Sequence, residues 1–323
     1  MILAGDIGGT KTNVALFRES DLSLIHNRSF PSQNYSGLWP ILEEFLQEAK
    51  GDISNACFGV AGPVNNGISS ITNLSWTIEA ADLRENLKCT SVHLINDLEA
   101  NGWGIEVLPS SSFHVLREGT PKPGNAALIS AGTGLGECCL FWNGTRHIPS
   151  ASEGGHASFA PRNEDEVELL RYLWKQYSHV SWERVVSGSM GFQNIYNFYR
   201  DTHRAIEPSD LAAKIQTGDP AAIISQSASQ DIDIAVKTME MFFTLYGAEA
   251  GNLALKIIAV AGVYIGGGIA PKNLNWMTSG SFLDSFSAKG RFTSMLEEIP
   301  VKIILDSQTA LYGAARFAQL KGE

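Results

Sequence analysis

The sequence predicts an α/β protein of two domains, each built around a strand–turn–strand unit with a glycine–threonine turn. Three observations carry that expectation. In the N-terminal part, short apolar runs alternate with segments of helical periodicity. The strand–turn–strand pattern then restarts near residue 126, so that the turn holding Thr10 recurs at Thr133, a weak internal duplication. The chain of 323 residues, 44% hydrophobic and 18% charged, is long and apolar enough to bury two cores.

The elements follow in order. Residues 2–7 are an apolar run stopped by Gly8-Gly9, and further runs at 13–17 and 22–30 complete an antiparallel meander. Residues 36–49 carry Leu38, Ile41, Leu42, Phe45, Leu46 and Ala49 at helical spacing. Strands at 56–60 and 92–95 bracket a short helix near 79–88. After the restart, a strand at 126–130 enters the turn Ala131-Gly132-Thr133-Gly134-Leu135-Gly136, and a second strand runs to Trp142. Asn163 with Glu166 reads as a helix N-cap with its capping-box partner, ahead of Val167, Leu169, Leu170 and Leu173. A long helical region over 219–256 is expected to break near Gly247 or Gly251. Residues 260–265 form a buried strand ending in Gly266-Gly267-Gly268, and a strand at 302–305 precedes a helix from Ser307. No flexible linker separates the halves. The expectation is therefore a small α/β domain, 1–107 completed by the C-terminal helix 307–323, and a larger α+β domain, 108–306, sharing a cleft.

Net charge is -10 and the isoelectric point is near 5.2. Such a surface repels nucleic acid and anionic membrane, so neither is an expected partner. It still allows phosphate binding, because backbone N–H groups supply local positive potential. Cys57, Cys89, Cys138 and Cys139 form no C-x-x-C pair, which argues against a disulfide framework or a zinc site and for reduced thiols. Asp6 interrupts the first apolar stretch with no basic segment before it, so no signal peptide is expected. The longest apolar run, 257–270, is broken by glycine and shorter than the roughly 20 residues a membrane helix requires. A soluble, cytoplasmic protein is expected.

Gly5-Asp6-Ile7-Gly8-Gly9-Thr10-Lys11-Thr12 approaches the P-loop pattern, but Thr10 stands where the second glycine belongs and a strand follows instead of a helix. What remains is a glycine turn with Asp6 at its entrance and hydroxyls at Thr10 and Thr12. Such a turn can present backbone donors to phosphate, with Asp6 holding Mg²⁺ or its waters; an ordinary hairpin turn would read the same. Gly132-Thr133-Gly134-Leu135-Gly136 is not a dinucleotide fingerprint, since a strand follows it. Two such turns, one in each half, could clamp one phosphate chain. Gly266-Gly267-Gly268 offers side-chain-free backbone to a flat adenine ring, or is a tight strand-to-helix turn. Asn96-Asp97 ends an apolar strand, where ligands of α/β sheets bind and where a carboxylate could take the proton from an attacking hydroxyl; alternatively Asp97 caps a helix beginning at Leu98. Glu153-Gly154-Gly155-His156 suits hydrogen bonding to a polyol better than a metal, a solvated loop being the other reading. Glu183 by itself reads as a carboxylate in a helix's first turn.

In their order these motifs resemble the bacterial glucokinase family of the actin-like ATPase superfamily, essentially end to end. Further carriers are Thr72-Asn73-Leu74-Ser75-Trp76, Glu183-Arg184-Val185-Val186-Ser187-Gly188 and Gly251-Asn252-Leu253-Ala254. The resemblance implies the two-domain actin-like (ribonuclease H-like) fold, with ATP and glucose as partners and Mg²⁺ entering with ATP. It implies that Gly5, Asp6, Ile7, Gly8, Gly9 and Thr10, together with Gly132, Thr133 and Gly134, bind the ATP phosphates, that Gly266, Gly267 and Gly268 complete the nucleotide site, and that Asp97 is the catalytic base. Asn96, Asp97, Glu153, His156 and Glu183 would bind the sugar, and a homodimer is allowed by family likeness only. Zinc-bearing relatives carry a cysteine cluster soon after their E-x-G-H segment. Residues 157–200 hold no cysteine, and Phe159-Ala160-Pro161 points the same way, whereas Lys11 does not discriminate. The expected reaction is phosphoryl transfer from ATP to the 6-hydroxyl of glucose, the first step of glycolysis. The rivals are a kinase for another hexose or amino sugar and a non-phosphorylating actin-like ATPase or sugar-binding regulator. The regulators of that group carry a DNA-binding helix-turn-helix, for which no room is expected before Gly5.

Overall fold

A computed structural model describes residues 1–49, 51–71 and 74–322. The chain forms two compact units, one of Met1–Ser112, Asn143–Ala151 and the C-terminal segment from Asp306, the other of Phe113–Trp142 and Ser152–Leu305. Among the described residues no helix is long and apolar enough to cross a membrane.

In the first unit, β1 (Ile2–Ile7), β2 (Lys11–Phe17) and β3 (Leu24–Pro31) form the expected antiparallel meander. After α1 (Leu38–Glu48), β4 (Asn55–Val60) lies parallel to β1. A small ribbon, β5 (Ile68–Ser70) with β6 (Thr77–Glu79), and α2 (Ala80–Leu87) lead to β7 (Ser91–Asn96), parallel to β4, and then to α3 (Asp97–Ile105). The strand order is β3-β2-β1-β4-β7. β1 up to Asp6 and β4 after Asn55 read as apolar runs without polar alternation because both of their faces are covered. Leu3 and Ile7 pack with Leu38, Ile41, Leu42 and Phe45 of α1, while Ile2 and Ala4 turn to the other core.

The second unit begins with β8 (Phe113–Arg117), β9 (Ala126–Ala131) and β10 (Leu135–Trp142); the following β11 (His147–Ser152) falls mostly in the segment that groups with the first unit. Helices α4 (Glu164–Leu173), α5 (Gly191–Asp201), α6 (Ser209–Thr217), α7 (Pro220–Ala228) and α8 (Asp233–Ile257) come next, then β12 (Gly262–Gly266). Four short helices, α9 (Ile269–Lys272), α10 (Leu274–Met277), α11 (Ser281–Ser287) and α12 (Thr293–Glu298), lead to β13 (Val301–Ile304). Five strands run β10-β9-β12-β13-β8, with β12 parallel to both β9 and β13. The chain ends in α13 (Thr309–Gly322) in the first unit, packed on α3 so closely that a Cβ on Gly313 would collide with the Ala100 carbonyl.

Two local expectations are corrected. The capping pair at α4 is half formed: Asn163 Oδ1 accepts the Glu166 N–H at 2.9 Å, but Glu166 returns to the Arg162 N–H at 2.8 Å and not to Asn163's own. The helix over 219–256 breaks at 229–232, where Asp231 takes φ 58°, and α8 runs uninterrupted through Gly247 and Gly251. Those glycines are contact points. A Cβ on Gly247 would overlap the Phe282 carbonyl of α11, and one on Gly251 the Phe286 carbonyl. Gly247→Ala therefore gains about 1 kcal/mol of helix propensity and loses more, roughly 1–3 kcal/mol, by overpacking α8 against α11. A lowered midpoint in urea unfolding is expected; an unchanged or raised midpoint would mean the contact yields freely.

Candidate active site

In the first unit the parallel register places Ile7, Val60 and Asn96 level, so the turn after β1 and the start of α3 emerge at the same end of the sheet. Gly5 is required beneath that turn, since a Cβ there would stand 2.5 Å from the Phe58 ring. The turn is closed by Gly8 N–H donating to the Lys11 carbonyl at 3.0 Å and tethered by Ser32 Oγ donating to the Gly8 carbonyl at 2.7 Å. Thr10 is exposed. Thr12 is fully buried against Ser32 Oγ at 3.0 Å, because alternation along β2 turns it inward. Asp6 accepts from Asn13 Nδ2 at 3.3 Å, and Asn13 Oδ1 accepts from Ser29 Oγ at 2.5 Å. Burial pushes the Asp6 carboxyl up, opposed by the Asn13 hydrogen bond and the Lys11 charge.

At the other edge of that end, Asn96 and not Asp97 is the N-cap of α3. Its Oδ1 accepts from the Leu98 and Glu99 N–H groups at 2.9 and 3.4 Å, and its Nδ2 donates to the Gly62 carbonyl at 3.3 Å. One amide hydrogen of Asn96 is left for a ligand. Asp97 is the first helical residue, half-buried, with Oδ1 also accepting the Leu98 N–H at 2.9 Å.

In the second unit Gly266 pairs with Ser130, so the glycine turns after β9 and β12 begin at one level. A Cβ on Gly267, whose φ is 80°, would collide with the Ala131 carbonyl, so the two turns are in backbone contact. Tyr246 of α8 lies beneath them. Its hydroxyl accepts the Ala131 N–H at 3.2 Å, and its proton faces the Ile129 and Gly266 carbonyls at the longer distances of 3.4 and 3.5 Å. On the outer side, the Gly188 N–H donates to the Gly132 carbonyl at 2.7 Å, and Ser189 Oγ donates to the Thr133 carbonyl at 2.6 Å. Gly132, Thr133, Ser189 and Phe192 then line a cavity of about 690 Å³ with Gly268 and Lys272. Its volume and mixed lining suit a ligand of nucleoside size.

Beside this cavity the turn Glu153-Gly154-Gly155-His156 is a single 3-10 turn. His156 Nδ1 lies 3.4 Å from Glu183 Oε2, and its Nε2 is 3.8 Å from Glu153 Oε2. Glu183 is the fixed member, its side chain 19% exposed against 81% for Glu153. A Cβ on Gly134 would stand 2.6 Å from Glu183 Oε1. The fold thus brings Glu153, His156, Glu183 and the Gly132–Gly134 turn together within one unit. Tyr246, Gly188 and Ser189 do not stand out in the sequence as site residues; the only available signal was the position of Ser187-Gly188 at the end of the Glu183 motif. Thr72 and Asn73 of the Thr72–Trp76 motif lie outside the described residues.

The sequence profile of the glucokinase family matches residues 3–321. A curated glucokinase from Nostoc punctiforme is 43% identical, covering 98% of each chain. Among solved structures, a glucokinase from an Antarctic psychrotroph superimposes with a TM-score of 0.86 at 29% identity, covering 99% of this chain and 98% of that one. A Streptomyces griseus ROK-family glucokinase, solved with glucose and AMPPNP, matches with a TM-score of 0.64 at 20% identity, over 99% of each chain.

Among the described residues, Tyr246→Phe removes the one hydroxyl that accepts the Ala131 N–H. Leaving that buried donor unpaired costs about 1–3 kcal/mol. A lowered melting temperature with weakened nucleotide binding by titration calorimetry is expected; unchanged values for both would show that the turns hold without the phenol.

Proposed function

This chain belongs to the glucokinase family, and from that premise we propose that it transfers the γ-phosphoryl group of ATP to the 6-hydroxyl of D-glucose, giving glucose 6-phosphate and ADP in the cytoplasm at the entry to glycolysis. It is an ATP-dependent sugar kinase with the two-domain α/β fold of actin-like ATPases. One observation carries the reading. The Gly132–Gly134 turn and the Glu183 carboxylate share a wall, so a group with phosphate-binding backbone and a group with hydroxyl-binding oxygens adjoin in one unit.

The roles follow from what each group can donate or accept. Backbone N–H groups of Gly9 and Thr10, in the turn that Gly8 closes, and of Thr133 and Gly134, serve the phosphates. The cavity beside Gly268 and Phe192 takes the adenosine part. Glu153, Glu183 and His156 hold sugar hydroxyls, with the ring of His156 oriented by Glu183. Asp97 accepts the proton of the 6-hydroxyl as the bond to phosphorus forms, worth on the order of 10²–10⁴-fold in rate. Positioning and charge stabilisation supply most of the remainder.

Asp6 also fits a metal. A carboxyl that burial pushes toward its neutral form, with one amide donor, regains its charge beside a divalent cation. Asp6 would hold Mg²⁺ directly or through water, and Mg²⁺ would neutralise phosphate charge.

Asp97→Asn is expected to lose at least about 10²-fold in kcat while ATP binding is unchanged. A coupled assay over glucose, galactose, fructose, mannose and N-acetylmannosamine should give glucose the highest kcat/KM, with activity abolished by chelation and restored by Mg²⁺. Near-normal turnover of Asp97→Asn removes the base. A preference for fructose or N-acetylmannosamine replaces glucose with another sugar, and no product from any sugar leaves a non-phosphorylating regulator.

A further inference from the structure

Beneath the Glu153–His156 turn lies a carboxyl that the roles above leave unused. Glu137 of β10 is 1% exposed, and Gly154 is seated on it so closely that a Cβ there would overlap Glu137 Oε2. Ser152 Oγ donates to the Glu137 carbonyl at 3.2 Å and accepts the Gly154 N–H at 3.2 Å, while Gly155 rests against the Leu135 carbonyl. The turn therefore has Leu135–Glu137 as its floor.

On its other side Glu137 meets α8. Glu249 is fully buried with both oxygens occupied: Oε2 accepts from Asn252 Nδ2 at 2.7 Å, and Oε1 from Lys256 Nζ at 2.9 Å. Glu137 Oε1 has no such donor. The charge of Glu249 acts on this buried, donor-poor carboxyl, so a proton on one of the two relieves their repulsion. Since donors already serve Glu249, that proton resides on Glu137. Burial first, and then the Glu249 charge, push Glu137 up to about 8, against the pull of Lys256. Two more groups face this cluster. Cys139, on the same strand, is pushed up by burial and by Glu137. Lys289, which donates to the Ala248 carbonyl at 2.8 Å and Asn252 Oδ1 at 2.6 Å, is drawn down to about 8 by burial and by Arg162.

We infer that Glu137, in its neutral form, is a positioning residue for the sugar site: it supports Gly154 and so keeps Glu153 and His156 in the shape that receives hydroxyls. Loss of its proton sets two carboxylates against each other in a buried site, where repulsion is strong, and the turn lifts. The inference rests on the reading of that turn as sugar-binding.

The test is the pH dependence, from 6.5 to 9.5, of the glucose KM, the ATP KM and kcat for the wild type, Glu137→Gln and Glu153→Gln, with circular dichroism at each pH. In the wild type the glucose KM should be flat below about 8 and rise toward about tenfold per pH unit above it, one proton being at stake, while the ATP KM does not follow. Glu137→Gln keeps the size and a donor but cannot ionise, so its glucose KM should stay flat. If Glu153→Gln leaves the glucose KM unchanged, the turn does not bind sugar and the inference falls with that reading. If Glu153→Gln weakens glucose while Glu137→Gln keeps the wild-type profile, the proton belongs elsewhere, with Lys289 the first suspect, and the role of Glu137 is overturned. Should Glu137→Gln not fold, the wild type decides. Calorimetric titration with glucose at pH 8.5, in two buffers of different ionisation enthalpy, should show proton uptake on binding, and none would overturn the inference.

Discussion

Tyr246 sits near the middle of the 25-residue α8, completely buried, and its hydroxyl answers the last backbone donor of β9 while facing the last carbonyl of β12. From the inner side, the glycine turns after β9 and β12 are joined through that one group. A strand that ends in a glycine turn leaves its final N–H and C=O groups without ladder partners, and in a buried place each must be met. Burial raises the phenol's pKa, so it remains a proton carrier at any pH the protein meets. The same stretch of helix works in two further directions. Gly247 and Gly251 admit the backbone of α11, and the charge of Glu249 acts on Glu137 under the Glu153–His156 turn. Within six residues α8 thus meets the two glycine turns, the backbone of a neighbouring helix and the carboxyl beneath Gly154.

The first unit reaches a similar end by other means. Its turn after β1 has no phenol below it; Ser32 ties Gly8, Thr10 and Thr12 instead, through its hydroxyl and its own N–H. Asp97 is placed by parallel register and by the Asn96 cap, and Gly59 lets α3 lie close, since a Cβ there would come within 2.8 Å of Ala100. The two strand–turn–strand units therefore share a backbone plan and not a packing solution. That is why their resemblance is visible in the glycines and threonine and nowhere else.

What could be read from the sequence follows the same division. Strands, turns and most helices are local, written in alternation, in the 3.6-residue period and in glycine placement, and the glycine turns, Asn96-Asp97 and Glu183 all stand at element ends as expected. Gly247 and Gly251 misled because a glycine in a helix reads as a breaker, whereas its reason lies at Phe282 and Phe286, on another helix. Tyr246, Ser189 and Glu137 were illegible for a related cause: an aromatic in an apolar helix, a serine after a glycine and an acid in a strand acquire meaning only through partners distant in the chain. Asn96 stood out in the sequence at a strand's end, where the structure gives its carbonyl oxygen to the helix cap and one amide hydrogen to Gly62.

The acidic composition raises a problem that the same features resolve. A chain of net charge -10 should repel a polyphosphate, and the phosphate role proposed for the glycine turns has to answer that. At physiological ionic strength charges more than about 8 Å away are largely screened, so the distant carboxylates of the surface contribute little. What decides is the immediate lining, and there the proposed donors are backbone N–H groups of turns fixed by the tethers to Tyr246, Ser189 and Ser32. Such donors cannot be neutralised by a proton, and they do not swing away as a lysine can. In the roles proposed, acidic side chains are thereby free to serve the sugar, where oxygens that accept from hydroxyls are needed, and Glu137 would be kept neutral underneath without disturbing the phosphates.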